Sequence, residues 1–84
     1  MRVSKASVEM QLRKDSLMPS VIAGWLKVLS QEGIITETYR KSMAWRYGYG
    51  EAGIQDFAAN MALEHPELWT AFLMKRRLLE GGQQ

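Results

Sequence analysis

Residues 17–35, LMPSVIAGWLKVLSQEGII, decide the fold of this 84-residue chain. Five apolar residues in this stretch recur at helical spacing, so they share one face of a helix. They are Val21, Ile22, Trp25, Leu26 and Leu29. Pro19 suits the first helical position, where the missing N–H has no helical partner, and Gly33 suits a left-handed C-cap. We predict a helix from Pro19 to Glu32 and an extended segment from Ile34.

The composition is that of one small domain with a single core. Apolar residues make up 46% of the chain, there is no cysteine, and His65 is the one histidine. A disulfide scaffold and a thiolate zinc site are therefore excluded, and we expect no metal and no cofactor. No apolar run has the length of a membrane span, and the first residues, MRVSKASVEMQ, lack the apolar region of a signal peptide. We expect a cytoplasmic protein of one domain, residues 1–84, with no membrane contact.

Charge is distributed unevenly along the chain. Residues 1–47 carry eight basic and four acidic side chains, a net charge of +4. Residues 48–84 carry three basic and five acidic side chains, a net charge of −2. A polyanionic partner would therefore meet the first half of the chain.

A shorter helix is predicted before the central one. Ser4 or Ser7 would cap it, and it would run to about Lys14. Residues 15–18 contain good turn formers and would make a tight connection. The result is a helix, a turn and the Pro19–Glu32 helix.

Residues 34–50 fit two different structures. In strands, one face would carry Met43, Trp45, Tyr47 and Tyr49, which alternate with smaller or polar residues. In a helix, Ile35, Tyr39 and Met43 would line up at a spacing of four, with Thr36 as the cap. We favour a β-hairpin with its tip at residues 40–42 and keep the helix as the alternative.

The C-terminal part is predicted to be a pair of helices. Glycines 48, 50 and 53 separate it from the basic part, and Pro66 divides the two helices because it biases His65 away from the α region. Residues 51–80 would form this pair and residues 81–84 a frayed tail. Its apolar load is large for two short helices, so we expect a homodimer that covers part of it. The candidate interface residues are Phe57, Met61, Trp69, Phe72 and Leu73.

The first half resembles a known superfamily. The run QLRKDSLMPSVIAGWLKVLSQEGII, followed by a hairpin with a basic tip, resembles winged helix-turn-helix proteins over about residues 7–50. Its spacing is similar to that of the gamma domains of bacterial DNA translocases and of many small repressors. The resemblance implies that Pro19–Glu32 is a recognition helix and that Arg40-Lys41 form the tip of a wing.

The expected fold is mainly α, in the α+β class. It would combine a winged helix-turn-helix-like part with a short β-hairpin, residues 1–50, and the C-terminal helical pair. The alternative is an all-α helical bundle.

The leading functional hypothesis is a small regulator that binds duplex DNA. The expected contacts are side chains that reach phosphate or base edges, namely Arg13, Lys14, Ser20, Lys27, Gln31, Arg40, Lys41 and Arg46. The alternative for these residues is an ordinary solvated surface. A second hypothesis is a non-enzymatic adaptor or inhibitor, encoded by a phage or mobile element, that binds a host protein through surface aromatic residues.

Catalytic motifs are nearly absent. His65 has Glu64 and Glu67 nearby in sequence, but a single imidazole beside a proline is more often a surface or capping residue than a catalyst. The glycines of GYGEAG lack the lysine and hydroxyl residue of a phosphate-binding loop. We therefore expect no catalytic residues and no enzyme.

Overall fold

The structure is a computed structural model that describes residues 3–14, 18–51 and 53–81, with side chains at 3–12, 19–51 and 53–76. Five α-helices occupy the described residues. They are α1 (Lys5–Lys14), α2 (Met18–Gln31), α3 (Glu37–Gly48), α4 (Gly53–Glu64) and α5 (Pro66–Gly81). The same residues contain no β-strand. The fold is therefore all-α, the alternative of the sequence analysis, and the expected α+β class is wrong.

Helix α2 lies at the centre of the fold and contacts each of the other four helices. Its predicted apolar face is buried to 1% exposure or less, and it consists of Val21, Ile22, Trp25, Leu26 and Leu29. The Trp25 indole Nε1 donates a hydrogen bond to the carbonyl oxygen of Ala58 in α4, at 3.0 Å. The same ring packs edge-on against Trp69 of α5, with ring centroids 5.1 Å apart. The predicted helix and its buried face are confirmed.

The end of α2 is set by Gly33. Its φ is +76°, in the left-handed region that glycine adopts without a Cβ penalty. The N–H of Ile34 donates to the carbonyl of Leu29 at 2.9 Å, and the N–H of Gly33 donates to that of Ser30 at 3.1 Å. These two bonds form a Schellman motif, so the predicted C-cap is confirmed.

Residues 37–48 form helix α3 where a β-hairpin was predicted. Thr36 caps the helix, since its side chain accepts a hydrogen bond from the N–H of Tyr39 at 3.0 Å. A two-stranded hairpin is marginal unless it packs on other elements, whereas the capped helix packs on α2 and buries Met43 in the core. Ile34 and Ile35 belong to the turn before α3 and do not begin a strand. The wing implied by the family resemblance is therefore not formed.

The remaining helices begin and end close to the predicted residues. Ser4 caps α1, because its Oγ accepts from the N–H of Ser7 at 3.2 Å. Helix α1 packs on α4, and Lys5 Nζ lies 3.0 Å from Asp56 Oδ1 across that contact. Helix α5 starts at Pro66, as predicted. Met18 of the predicted turn and Gly81 of the predicted frayed tail belong to α2 and α5. The other residues of the turn and the tail, 15–17 and 82–84, lie outside the described residues.

Substitution at Gly33 is predicted to destabilise the fold through backbone conformation alone. A Cβ at Gly33 would meet no atom within 4 Å, so Gly33→Ala should cost about 1 kcal/mol by forcing alanine into the left-handed region. Gly48 also has open space around it but lies within α3. Gly48→Ala should leave stability unchanged or raise it by up to about 1 kcal/mol. Urea unfolding followed by circular dichroism measures both, and equal stability of the two variants would contradict the C-cap assignment.

Candidate functional site

Helix α3 is attached to the rest of the protein by few side chains. Met43 is its buried residue, at 2% exposure. Tyr47 is half-buried against the core, and the ring of Tyr39 packs edge-on against Phe57 of α4 with centroids 5.9 Å apart. Most of the surface of α3 therefore faces solvent.

A polar cluster joins the start of α3 to the end of α2. Ser30 Oγ donates to Glu37 Oε1 at 2.8 Å. Arg40 reaches the same carboxylate with both Nε, 2.8 Å from Oε1, and Nη2, 2.5 Å from Oε2. Hydrogen bonds from Arg40 and then Ser30 lower the pKa of Glu37 from its ordinary value of 4.5 to about 2. The guanidinium of Arg40 is thus engaged by a carboxylate of its own helix.

A second ion pair lies at the other end of α3. Arg46 donates through Nε to Glu51 Oε2 at 3.0 Å and through Nη2 to Glu51 Oε1. The hydrogen bonds lower the pKa of Glu51 and raise that of Arg46. Two of the cations predicted to contact DNA, Arg40 and Arg46, are therefore held by carboxylates in this structure.

The solvent side of α3 carries two large exposed aromatic rings. Trp45 is 66% exposed and Tyr49 is 79% exposed. They are one helical turn apart, and their rings contact each other with centroids 4.7 Å apart and an interplanar angle of 48°. We name this side the α3 outer face, and its exposed residues are Thr38, Lys41, Ser42, Trp45 and Tyr49.

The solvent side of α2 presents a sparse polar surface. Of the residues predicted to contact DNA, Ser20, Lys27 and Gln31 are exposed there. Gly24 is covered by the C-terminal helix, because a Cβ on it would lie 3.1 Å from the ring of Phe72. The side chains of Arg13 and Lys14 lie outside the described part of the chain. The structure thus leaves a narrow strip of α2 open to a partner.

The residues predicted to form a dimer interface divide into two groups. Trp69 and Phe72 are 3% and 9% exposed and pack on Trp25 inside the protomer. Phe57, Met61 and Leu73 are half-buried at the edge of the core. Trp69 and Phe72, two of the predicted interface residues, therefore pack inside the protomer and are not available to a second copy.

An open groove lies between the α2–α3 turn and α4. Its volume is about 620 Å³, and the residues that line it are Ile34, Ile35, Thr36, Tyr39, Phe57, Met61, Glu64 and His65. His65, the one imidazole of the chain, lines this groove together with Glu64. Phe57 and Met61, two of the predicted interface residues, form part of its apolar wall.

Two features are absent from the part of the chain that the structure describes. No group of three or more histidine, aspartate or glutamate side chains is placed there to hold a metal ion. None of the helices formed by those residues is long and apolar enough to cross a bilayer.

Comparisons of the chain with protein-family models, with curated proteins and with solved structures find no match.

The exposed aromatic pair lies on a helix and not on the strand that the sequence predicts. Period-two alternation put Trp45, Tyr47 and Tyr49 on one strand face. In the helix, Tyr47 turns toward the core while Trp45 and Tyr49 share the outer face. Lys41, Trp45 and Tyr49 follow each other at a spacing of four in the sequence. That spacing is the signal that predicts a shared helix face.

The Glu37 cluster predicts a specific pH dependence of stability. The pKa of Glu37 is lower in the folded state than its ordinary value. The contribution of Glu37 to the free energy of unfolding is therefore complete above about pH 4.5 and is lost as the pH falls toward 2. Glu37→Gln should therefore lower stability at neutral pH and flatten the stability curve between these values. Urea unfolding midpoints measured from pH 7 to pH 2 test this.

Arg40→Gln is the companion variant, because it removes the guanidinium whose hydrogen bonds lower the pKa of Glu37 most. It should change the curve in the same direction as Glu37→Gln. A Glu37→Gln curve that runs parallel to that of the wild type would show that the cluster does not stabilise the fold.

Proposed function

We propose that this chain is a non-enzymatic protein-binding module whose contact surface is the α3 outer face. The observation that carries the proposal is the exposure of Trp45 and Tyr49 side by side on a helix that buries one residue. Tryptophan and tyrosine are enriched among the residues that dominate binding energy at protein interfaces. Two such rings left in water raise the free energy of the unbound protein, and burial by a partner removes that cost.

The spacing on α3 indicates the kind of partner. Lys41, Trp45 and Tyr49 lie four residues apart, so they form one continuous stripe along the helix. A helix with such a stripe binds by laying it into an apolar groove of another protein. The partner would have an apolar groove for the two rings and a carboxylate near the end that receives Lys41.

The charges around the stripe also favour a protein partner. Binding to a polyanion needs several cations that exchange small counterions for phosphates. Arg40 and Arg46 are already neutralised by Glu37 and Glu51, which leaves Lys41 as the cation of the outer face. This arrangement supports contact with a partner that is mainly apolar, and it matches the adaptor or inhibitor hypothesis for a host protein in the cytoplasm.

Duplex DNA is the second candidate partner. The observation that favours it is the open strip on α2, where Ser20, Lys27 and Gln31 remain exposed. These side chains would bind phosphates at the DNA surface. In this case the chain would act as a small DNA-binding regulator without a wing.

Removal of the two rings is predicted to abolish binding while the fold is retained. Trp45→Ala with Tyr49→Ala should raise the dissociation constant for the partner at least about 30-fold, since residues of this kind contribute about 2 kcal/mol or more. The change in unfolding free energy should stay within about 0.5 kcal/mol, because both side chains are exposed. The partner is captured from a cell lysate on the wild-type protein, identified by mass spectrometry, purified and titrated by calorimetry.

Met10→Ala is the matched control, because Met10 is a large apolar side chain, 53% exposed, on α1. Its affinity for the purified partner should equal that of the wild type. In parallel, duplex DNA is titrated by fluorescence anisotropy at low salt with the wild type and with Lys27→Glu. Salt-dependent DNA binding that is weakened by Lys27→Glu and unaffected by loss of the rings would contradict the protein-binding proposal in favour of the second candidate.

A further inference from the structure

Helix α5 has an exposed side that no other described helix covers. Its inner side is buried through Trp69 and Phe72. On the opposite side, Glu67, Ala71 and Lys75 are exposed at a spacing of four, and Met74 beside them is 60% exposed. We name Glu67, Ala71, Met74 and Lys75 the α5 outer row.

The order of charges in the α5 outer row is self-complementary. Glu67 and Lys75 lie four residues before and four residues after Ala71, and therefore about 6 Å to either side of it along the helix. If a second α5 runs antiparallel across a two-fold axis at Ala71, each Glu67 lies opposite the Lys75 of the other copy. The two ion pairs are then equivalent, as a two-fold interface requires.

The small side chain at the centre permits close contact. Residues spaced by four form a ridge on a helix surface, and two such ridges run side by side when the helices cross at about −50°, the commonest packing class. Ala71 at the crossing point lets the axes approach to within about 8–10 Å. Met74 then supplies apolar surface that the other copy covers.

From this arrangement we infer that the α5 outer row is a homodimer interface with Ala71 on the two-fold axis. The occupant is a second copy of the chain, because the row carries both charges of the pair at positions symmetric about Ala71. The interface uses the side of α5 opposite to Trp69 and Phe72, two of the residues that the sequence analysis assigned to dimerisation. It does not depend on the function proposed for α3.

A single helix pair buries less surface than a standard interface, so the association is weak and is measured at high protein concentration. Sedimentation equilibrium of the wild type up to millimolar concentration should show a monomer–dimer equilibrium. Glu67→Lys or Lys75→Glu alone places like charges opposite each other twice per dimer, and each should raise the dissociation constant at least tenfold. The double variant exchanges the charges and should return the constant to within about threefold of the wild type.

Two variants away from α5 serve as matched controls. Glu32→Lys, just after α2, and Lys41→Glu, on the α3 outer face, reverse exposed charges and should leave dimerisation unchanged. A wild type that stays monomeric throughout the range overturns the inference. So does a dimer that survives both single reversals on α5 but is lost on Trp45→Ala with Tyr49→Ala, since that result would place self-association on α3.

A disulfide test locates the axis directly, because the chain has no cysteine of its own. Residues on a two-fold axis meet their own copies, and helix axes about 10 Å apart place facing Cα atoms about 5 Å apart, within disulfide range. Under mild oxidation A71C should therefore form a covalent dimer much faster than S42C, a control on the α3 outer face. Equal rates for the two variants contradict a two-fold axis at Ala71.

Discussion

The burial of Trp25 is the constraint on which the rest of the structure depends. Its indole is fully buried, so its N–H needs a partner, and an unpaired buried donor would cost about 1–3 kcal/mol. The carbonyl of Ala58 supplies that partner, which fixes α4 against α2. Ala58, Ala59 and Ala62 of α4 are fully buried, and their small side chains permit close contact with the neighbouring helices. Trp69 and Phe72 cover the same ring from α5, so one side chain joins three helices.

The position of α3 follows from this central packing. With α2 surrounded by α1, α4 and α5, α3 occupies the remaining side and buries Met43. Carboxylates at Glu37 and Glu51 hold the arginines of α3 close to the helix. The rings of Trp45 and Tyr49 remain in solvent, and their exposure is the basis of the contact surface that we propose on the outer face of α3. The core and the proposed contact surface thus result from one pattern of burial.

Periodicity predicted the centre of the fold better than its edges. The buried face of α2, the cap at Gly33 and the break at Pro66 follow from strong local signals, and all three are present. The segment after Gly33 carries both a period-two pattern and a capping residue. It forms a helix because Thr36 caps the first turn and Met43 reaches the core. The burial of Trp69 and Phe72 depends on the path of α5 back to Trp25. Sequence alone contains no signal for that path, so it suggested an interface where the protomer has its own core.

Hydrogen exchange of the three indole N–H protons, followed by nuclear magnetic resonance, tests the central claim most directly. The Trp25 proton is expected to exchange only through global unfolding, with a protection that matches the free energy of unfolding. The Trp45 proton should exchange at the rate of an unprotected indole. A Trp25 proton that exchanges as fast as that of Trp45 would contradict the account, because α2 would then not be the centre about which the other helices pack.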